Sequence, residues 1–209
     1  MVRAYIRAGY SGIIITDHFF NGNTAVPRDL PWTTMVEMFC RGYENALDEA
    51  KGTGFNVFFG WEYADRGTEF LTYGLDKNFL LKHPDLLSWD LEKYFKIIKE
   101  SGGFISHAHP FREASYIKDI RLFPEYVDAV EVINGGHVGT DFDKKAFNYA
   151  TKHGLLQTAG TDSHRVDKIH GYGMEFEHEI ETIEDFIQGI KKQRYTLNKA
   201  DEDIRLLTD

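Results

Sequence analysis

The stretch LLQTAGTDSH, residues 155–164, is the part of the sequence from which we predict the fold. Its first half is a short apolar run with a glycine on each side, which is typical of a buried strand. Its second half presents Asp162 and His164, two residues apart. Residues i and i+2 of an extended segment point to the same side, so both side chains can reach one point. We therefore interpret Asp162 and His164 as a pair of metal ligands.

The same arrangement recurs along the chain, because four further apolar runs stand just before side chains that can bind a metal. These runs are residues 12–15, 57–61, 103–106 and 129–133. The side chains that follow them are, in chain order, Asp17 and His18, Glu62, His107 and His109, and Asn134 and His137. In a barrel of parallel strands the carboxyl ends open on one face, so we expect these side chains to meet there.

Strands alternate with helices almost throughout the sequence, which predicts an α/β fold with a parallel sheet or barrel. Seven or eight strands are expected, among them residues 12–16, 55–61, 70–75, 127–133, 174–176 and 195–198. Helices are predicted at 34–51, 88–101, 142–153 and 183–194, and residues 1–8 are interpreted as the last turns of a first helix. We predict a single domain over residues 1–209, in which 199–209 form a charged tail.

Composition and charge exclude several classes of protein. The net charge of −9, from 33 acidic and 24 basic side chains, argues against binding of duplex nucleic acid through a basic face. No apolar run approaches the roughly 20 residues of a membrane span, and the amino terminus carries no export signal. The single cysteine, Cys40, fits a reducing compartment. We therefore predict a cytoplasmic protein.

The sequence HAHPFR, residues 107–112, holds the second group of candidate residues. Proline restricts the residue before it to extended conformations, so His109 is the stronger ligand candidate, and His107 is left to support the ligands or to act as an acid or base. Arg112 carries a guanidinium that can hold phosphate oxygens in pairs, although a surface arginine in a loop is an equal alternative. Of the two glutamates near strand ends, Glu62 is predicted to be a ligand and Glu69 is left open.

In chain order, the segments Thr16-Asp17-His18, Glu62, His109-Pro110-Phe111-Arg112 and Gly160-Thr161-Asp162-Ser163-His164 resemble the motifs of the polymerase and histidinol phosphatase (PHP) superfamily. The resemblance extends from Gly9 to about Asn198 and implies a distorted, TIM-like (β/α)7 barrel with two or three divalent metal ions, Zn, Mn or Fe. By the same resemblance His18 and His164 would serve one metal, Glu62 would bridge, His109 would serve another, and Asp162 would complete the cluster. Glu69 stands where many members carry a ligand histidine.

The sequence departs from the family pattern at its front. The family opens with a strand that ends in His-x-His and with an Asp soon afterwards, and none of these ligands is present here. We expect that the start has been assigned too far downstream, rather than that the site is depleted. Translation upstream in frame should reveal His-x-His, and a stop codon there would refute this.

The resemblance implies a metal-dependent phosphoesterase that hydrolyses a small phosphomonoester, or a nucleotide or oligonucleotide phosphate, by means of activated water. Arg112 would hold the phosphate, Asp162 would take part in catalysis, and His107 would serve as the leaving-group acid. The expected partner is a small phosphorylated substrate, with no duplex nucleic acid and no membrane. An amidohydrolase-like metal hydrolase and a non-catalytic metal-binding module with an incomplete site are the alternatives.

Overall fold

The computed structural model describes residues 1–169 and 171–199. Its helices are α1 (Val2–Arg7), α2 (Trp32–Ala50), α3 (Lys77–Lys82), α4 (Leu91–Glu100), α5 (Phe142–His153) and α6 (Ile183–Lys191). Its strands are β1 (Gly12–Ile15), β2 (Asn56–Asp65), β3 (Thr68–Tyr73), β4 (Phe104–Ala108), β5 (Ala129–Asn134), β6 (Leu156–Gly160), β7 (Gly173–Phe176) and β8 (Tyr195–Asn198). The predicted tail at 199–209 lies, apart from Lys199, outside the described residues.

Strands β1 to β6 form one curled sheet, a half-barrel in which neighbours in sequence are neighbours in space. The pairs β1–β2, β4–β5 and β5–β6 are parallel, whereas β3 runs antiparallel to both β2 and β4. A tight turn at Arg66 and Gly67, whose φ angles are 51° and 83°, joins β2 to β3 directly. Five strands therefore share one direction and β3 opposes them.

The mixed α/β fold is confirmed, but a closed (β/α)7 barrel is not. Within the described ranges β1 pairs only with β2, and β6 only with β5. The last two strands form a separate antiparallel pair, β7 with β8. The predicted parallel arrangement is wrong for β3, which a hairpin joins to β2 in the antiparallel direction.

The two faces of the half-barrel differ in what they contact. On the outer face, aromatic and aliphatic side chains of β2, β3 and β4 pack with α2, α3 and α4 in the largest hydrophobic cluster, in which Trp61, Phe70 and Tyr94 are fully buried. On the concave face, alternate residues of β2 and β3, together with residues of β1, β5 and β6, line a cleft of about 650 Å³. Because side chains alternate along a strand, this division decides which strand residues can belong to a site.

Helices close the rest of the molecule. Helix α5 packs on the outer face of β5 through Ala146 and Tyr149, and α6 places Ile187 and Ile190 against residues of β3 to β5. Helix α2 begins at Trp32 rather than at the predicted Thr34. No helix in the described part of the chain is both long and apolar enough to cross a membrane.

Candidate metal centre

The chain brings His18, Glu62 and Glu69 to one edge of the half-barrel by strand pairing. After β1 the backbone continues beside β2, so that His18 forms an isolated parallel bridge with Glu62. Strand β3 starts at the edge where β4 ends, because the two strands are antiparallel, and Glu69 pairs with Ala108. The next residue along the chain is His109. The reversed strand thus delivers Glu69 from its amino end, whereas its neighbours deliver their side chains from their carboxyl ends.

Two imidazoles and two carboxylates converge at this edge. His18 Nδ1 lies 2.6 Å from Glu62 Oε2 and 3.4 Å from Glu69 Oε1. His109 Nε2 lies 3.1 Å from Glu62 Oε1 and 3.4 Å from Glu69 Oε2. Each carboxylate therefore faces both histidines, and three of the four side chains are buried while His18 is partly exposed. We call these four residues the ligand cluster.

The electrostatics of the ligand cluster favour a cation. Its two close carboxylate neighbours, Glu62 first and Glu69 second, raise the pKa of His18 to about 10. Burial alone would raise the pKa of Glu62, but the two histidines outweigh it and lower that pKa to about 2. Two buried carboxylates thus draw positive charge to this point, which a bound ion can also supply.

The donor atoms of the ligand cluster fit a divalent metal. The donor atoms of His18, Glu62 and Glu69 lie within 4.8 Å of one another. Among the described residues, the buried Nδ1 atom of His18 has no hydrogen-bond partner in suitable geometry, although Glu62 Oε2 is close to it. An imidazole nitrogen turned toward two carboxylates without a proper hydrogen bond is an arrangement that a metal completes. Mixed imidazole and carboxylate donors suit Zn, Mn or Fe.

A second polar group lies beside the ligand cluster and is built around Arg112. Its guanidinium Nη2 donates to Asp162 Oδ2 and, at 3.2 Å, to Asn134 Oδ1, while its Nε donates to His137 Nε2 at 3.1 Å. Asn134 Nδ2 also donates to Asp162, at 3.3 Å. Asp162 is therefore engaged by Arg112 and Asn134 rather than by the histidines of the ligand cluster.

The structure brings Asp162 and His164 together, but not by the expected route. His164 Nδ1 lies 3.7 Å from Asp162 Oδ1, and the His164 ring centroid is 5.6 Å from that of His18. Strand β6 ends at Gly160, and Asp162 has a φ of 46°, so the segment is not extended. The side chain of His164 is 66% exposed at the mouth of the cleft. The predicted extended geometry is wrong, although both residues line the cleft.

His109 corrects a second expectation about the backbone. It was expected to be extended because Pro110 follows it, yet its φ is 28°. Non-glycine residues rarely adopt positive φ, and such residues persist where the surrounding structure holds them. Here the backbone N–H of His109 donates to Glu131 Oε2 at 3.0 Å, which holds the turn that aims its ring at Glu62.

Glu131 is a site residue that the sequence analysis missed. It is buried on the concave face of β5, and its carboxylate also accepts a hydrogen bond from Asn134 Nδ2 at 2.8 Å. Burial raises its pKa to about 7 despite the opposing effect of His109. A Cβ at Gly160 would stand 2.8 Å from Glu131 Oε1, so glycine leaves the room that this carboxylate needs. A lone carboxylate within the apolar run 129–133 was the signal for it.

His107 does not reach the ligand cluster. It lies on the outer face of β4, fully buried, with its ring 5.0 Å from Phe70 and 6.0 Å from Phe123 between centroids. Burial lowers its pKa to about 3, and neither ring nitrogen has a hydrogen-bond partner among the described residues. The placement of His107 therefore does not support the predicted leaving-group acid.

Part of the chain matches a known protein family, and its fold is similar to solved structures. Residues 142–195 match the family model described as PHP-associated. The fold is similar to a two-domain protein from Bacteroides vulgatus ATCC 8482 that contains a predicted PHP-like metal-dependent phosphoesterase, with a TM-score of 0.67, 16% identity and 94% of this chain covered. These findings support a PHP superfamily protein.

Two further solved structures are similar in fold to this chain. PsfC from Pseudomonas syringae PB-5123 has a TM-score of 0.67 at 17% identity, with 99% of this chain and 84% of PsfC covered. A proposed metal-dependent phosphoesterase from Bifidobacterium adolescentis ATCC 15703 has a TM-score of 0.52 at 16% identity, with 92% and 89% covered. This chain spans 58% of the length of the Bacteroides protein. A search of curated proteins found no match.

Proposed function

We propose that this PHP-like chain is a metal-dependent phosphoesterase that hydrolyses a small phosphomonoester, or the phosphate of a nucleotide or oligonucleotide. The observation that carries the proposal is the ligand cluster of His18, Glu62, Glu69 and His109 beside the guanidinium of Arg112. Two or three divalent ions, Zn, Mn or Fe, belong to the proposal, as does closure of the half-barrel into a (β/α)7 barrel. The cytoplasmic location and the lack of duplex nucleic-acid binding stay predictions from the sequence.

The negative charge of the cleft is the reason why a phosphate substrate would require bound cations. The carboxylates that line it are Asp17, Glu62, Glu131 and Asp162, and Glu69 adjoins them. A phosphate dianion would be repelled by these groups, and the single guanidinium of Arg112 is already paired with Asp162. Bound divalent ions would reverse the local charge. An anionic substrate is therefore compatible with the cleft only when the ligand cluster holds metal.

Each residue then has a role in the proposed reaction. His18, Glu62, Glu69 and His109 would hold metal, and the pair Asp162 and His164 at the mouth of the cleft would complete the set. Divalent ions held there would activate a water for in-line attack and offset the charge that grows on the phosphoryl oxygens.

The remaining roles belong to the groups around the ligands. Arg112 would bind phosphoryl oxygens through its guanidinium, and Asp162, which lines the cleft, would orient that guanidinium through their ion pair. His107 is not part of the proposal, because its ring is buried between phenyl rings on the other face of β4. Donation of a proton to the leaving group is therefore assigned to solvent at the mouth of the cleft.

The test uses the purified chain loaded with Mn or Zn. Phosphomonoesters, short oligonucleotides and N-acyl amides are offered in parallel, with ion content measured on the same samples. We expect hydrolysis of a phosphate ester that a chelator abolishes and added metal restores. Metal binding without turnover of any phosphate ester would contradict the proposal in favour of the non-catalytic module, and turnover of amides alone would favour the amidohydrolase-like alternative.

A matched pair of variants separates the site from general damage. Arg112→Ala should lower kcat/KM by roughly 100-fold or more, since loss of one preorganised donor to a developing oxyanion costs about that much. Arg165→Ala is the control. Arg165 directly follows Asp162-Ser163-His164, its side chain is exposed, and among the described residues that side chain forms an ion pair only with Asp167. If the two variants were equally active, the proposed role of Arg112 in the site would be wrong.

A further inference from the structure

The side chain of Arg112 is held by Asn134, the last residue of β5, and by His137 in the loop that follows it. His137 in this loop accepts a hydrogen bond from Arg112 Nε at 3.1 Å, and Asn134 accepts one from Nη2 at 3.2 Å. Two different guanidinium nitrogens are therefore fixed by neutral acceptors, in addition to the ion pair with Asp162. A guanidinium bound in this way has one orientation.

The contact with Arg112 determines which nitrogen of His137 carries the proton. Arg112 Nε can only donate, so His137 Nε2 must present its lone pair. The proton of the neutral ring is then on Nδ1, which lies 2.8 Å from Asp143 Oδ1 and donates to it. The Asp143 carboxylate thus selects the tautomer of His137. Because it accepts the hydrogen bond from Nδ1–H, Nε2 is left unprotonated and can accept the hydrogen bond from Arg112.

Asp143 is in turn paired on its other oxygen. Lys199 Nζ lies 3.1 Å from Asp143 Oδ2, and the side chains of His137, Asp143 and Lys199 are all between 4% and 6% exposed. Burial of an ion pair costs desolvation that a pair of apolar side chains would avoid, so it is weak evidence for stability. The row Arg112, His137, Asp143, Lys199 instead runs to the residue that follows β8, and each of its members is hydrogen-bonded to the next.

We propose that His137, Asp143 and Lys199 form a positioning chain that fixes the guanidinium of Arg112 for phosphate binding without touching the substrate. The inference rests on the proposed function, because phosphate is the ligand assigned to Arg112. Partners that orient a binding group in this way change affinity or activity by about 10- to 100-fold when they are removed. Asp143 and Lys199 act only through His137, and His137 acts only through Arg112.

The experiment compares His137→Phe with His137→Gln in the metal-loaded full chain. Phenylalanine keeps the edge-on ring contact with Phe142, at 5.2 Å between centroids, but removes the acceptor. Glutamine restores an acceptor oxygen. His153→Gln at the end of α5, where His153 is exposed, is the matched control.

The first readout is the Arg112 Nε–H signal in proton–nitrogen NMR spectra, assigned by its absence in Arg112→Lys. We expect a signal protected from solvent exchange in the wild type, His137→Gln and the control, and loss of protection in His137→Phe. This readout requires no turnover. It therefore judges the positioning chain even if no phosphate ester is hydrolysed, in which case only the proposed function fails.

The second readout is binding of inorganic phosphate by calorimetry, together with KM and kcat for a phosphomonoester that is turned over. His137→Phe should weaken phosphate binding and raise KM by about 10- to 100-fold, with unchanged metal content and a smaller change in kcat. His137→Gln should recover most of the loss. Unchanged Arg112 protection and unchanged phosphate affinity in folded His137→Phe would overturn the inference.

Asp143→Asn keeps the test decisive if His137→Phe does not fold. The amide can donate to His137 Nδ1 and so favour the tautomer that carries its proton on Nε2, facing the Arg112 Nε–H. We expect the same loss of Arg112 protection and of phosphate affinity as for His137→Phe. Full protection in Asp143→Asn would overturn the role of the tautomer.

Discussion

Glu69 gives the sharpest test of the ligand cluster, through the substitution Glu69→Gln. The carboxylate lies 3.4 Å from His18 Nδ1 and 3.4 Å from His109 Nε2, so an ion shared by these side chains would have it as a neighbour. Glutamine keeps the size of the side chain and one oxygen donor but removes the negative charge. Any loss of metal affinity then reports the charge rather than the packing.

The size of the effect follows from Coulomb attraction. Unit charges about 4 Å apart interact by about 4 kcal/mol at an effective dielectric constant of about 20, and a divalent ion doubles the charge. Water and the neighbouring Glu62 screen part of this, and the amide oxygen of glutamine remains a weak ligand. We therefore expect Glu69→Gln to lose about 3 to 4 kcal/mol, which is roughly 100- to 1,000-fold in metal affinity.

The assay is competition for Mn or Zn against a chelator of known affinity, with ion content per chain measured independently. Glu175→Gln on β7 is the control, because Glu175 is exposed and the substitution removes the same negative charge. Glu69→His replaces the carboxylate by an imidazole, which is also a common metal ligand, so it should retain affinity within about tenfold of the wild type. Affinity of Glu69→Gln within threefold of the control would refute the reasoning and remove Glu69 from the ligands.

Three further substitutions test other parts of the structure. Tyr94→Phe removes the acceptor, at 2.8 Å, of the buried Trp61 indole N–H, and should cost about 1 to 3 kcal/mol in urea unfolding without altering metal content. His107→Phe should leave phosphatase activity within threefold of the wild type, because the His107 ring packs against other aromatic rings. A loss of activity above 100-fold would instead support His107 as the leaving-group acid. Gly135→Ala places a Cβ 2.6 Å from a backbone oxygen and should destabilise by about 1 to 3 kcal/mol, while Gly171→Ala, which meets nothing within 4 Å, should be near neutral.

Much of the fold could be predicted from the sequence because it depends on local patterns. Apolar runs bounded by glycine correspond to β1, β2, β4, β5 and β6, and helix α5 spans the predicted residues 142–153. The direction of β3 could not be read in this way, since an apolar run has the same composition in either direction. It is the hairpin at Arg66 and Gly67, four residues after Glu62, that reverses the chain.

The candidate site was predictable in part for the same reason. His18, Glu62 and His109 follow or end apolar runs, so strand order alone brings them together. Glu131 and Asp143 were missed because a carboxylate within a strand or in the first turn of a helix has ordinary explanations, and only tertiary contacts distinguish them. His107 was included because it has the residue type and sequence position of a ligand, but its side chain lies on the outer face of β4, away from the ligand cluster.

Residue identity at strand ends is therefore more informative than backbone geometry there. His109 and Asp162 were expected to be extended, yet their φ angles are 28° and 46°. The chain must leave the sheet where these residues lie, and a side chain at that point turns inward only if the backbone turns with it. Hydrogen bonds from the His109 N–H to Glu131, and from Arg112 and Asn134 to Asp162, oppose the cost of those conformations. Glu131, which the sequence analysis missed, is thus the group that aims His109.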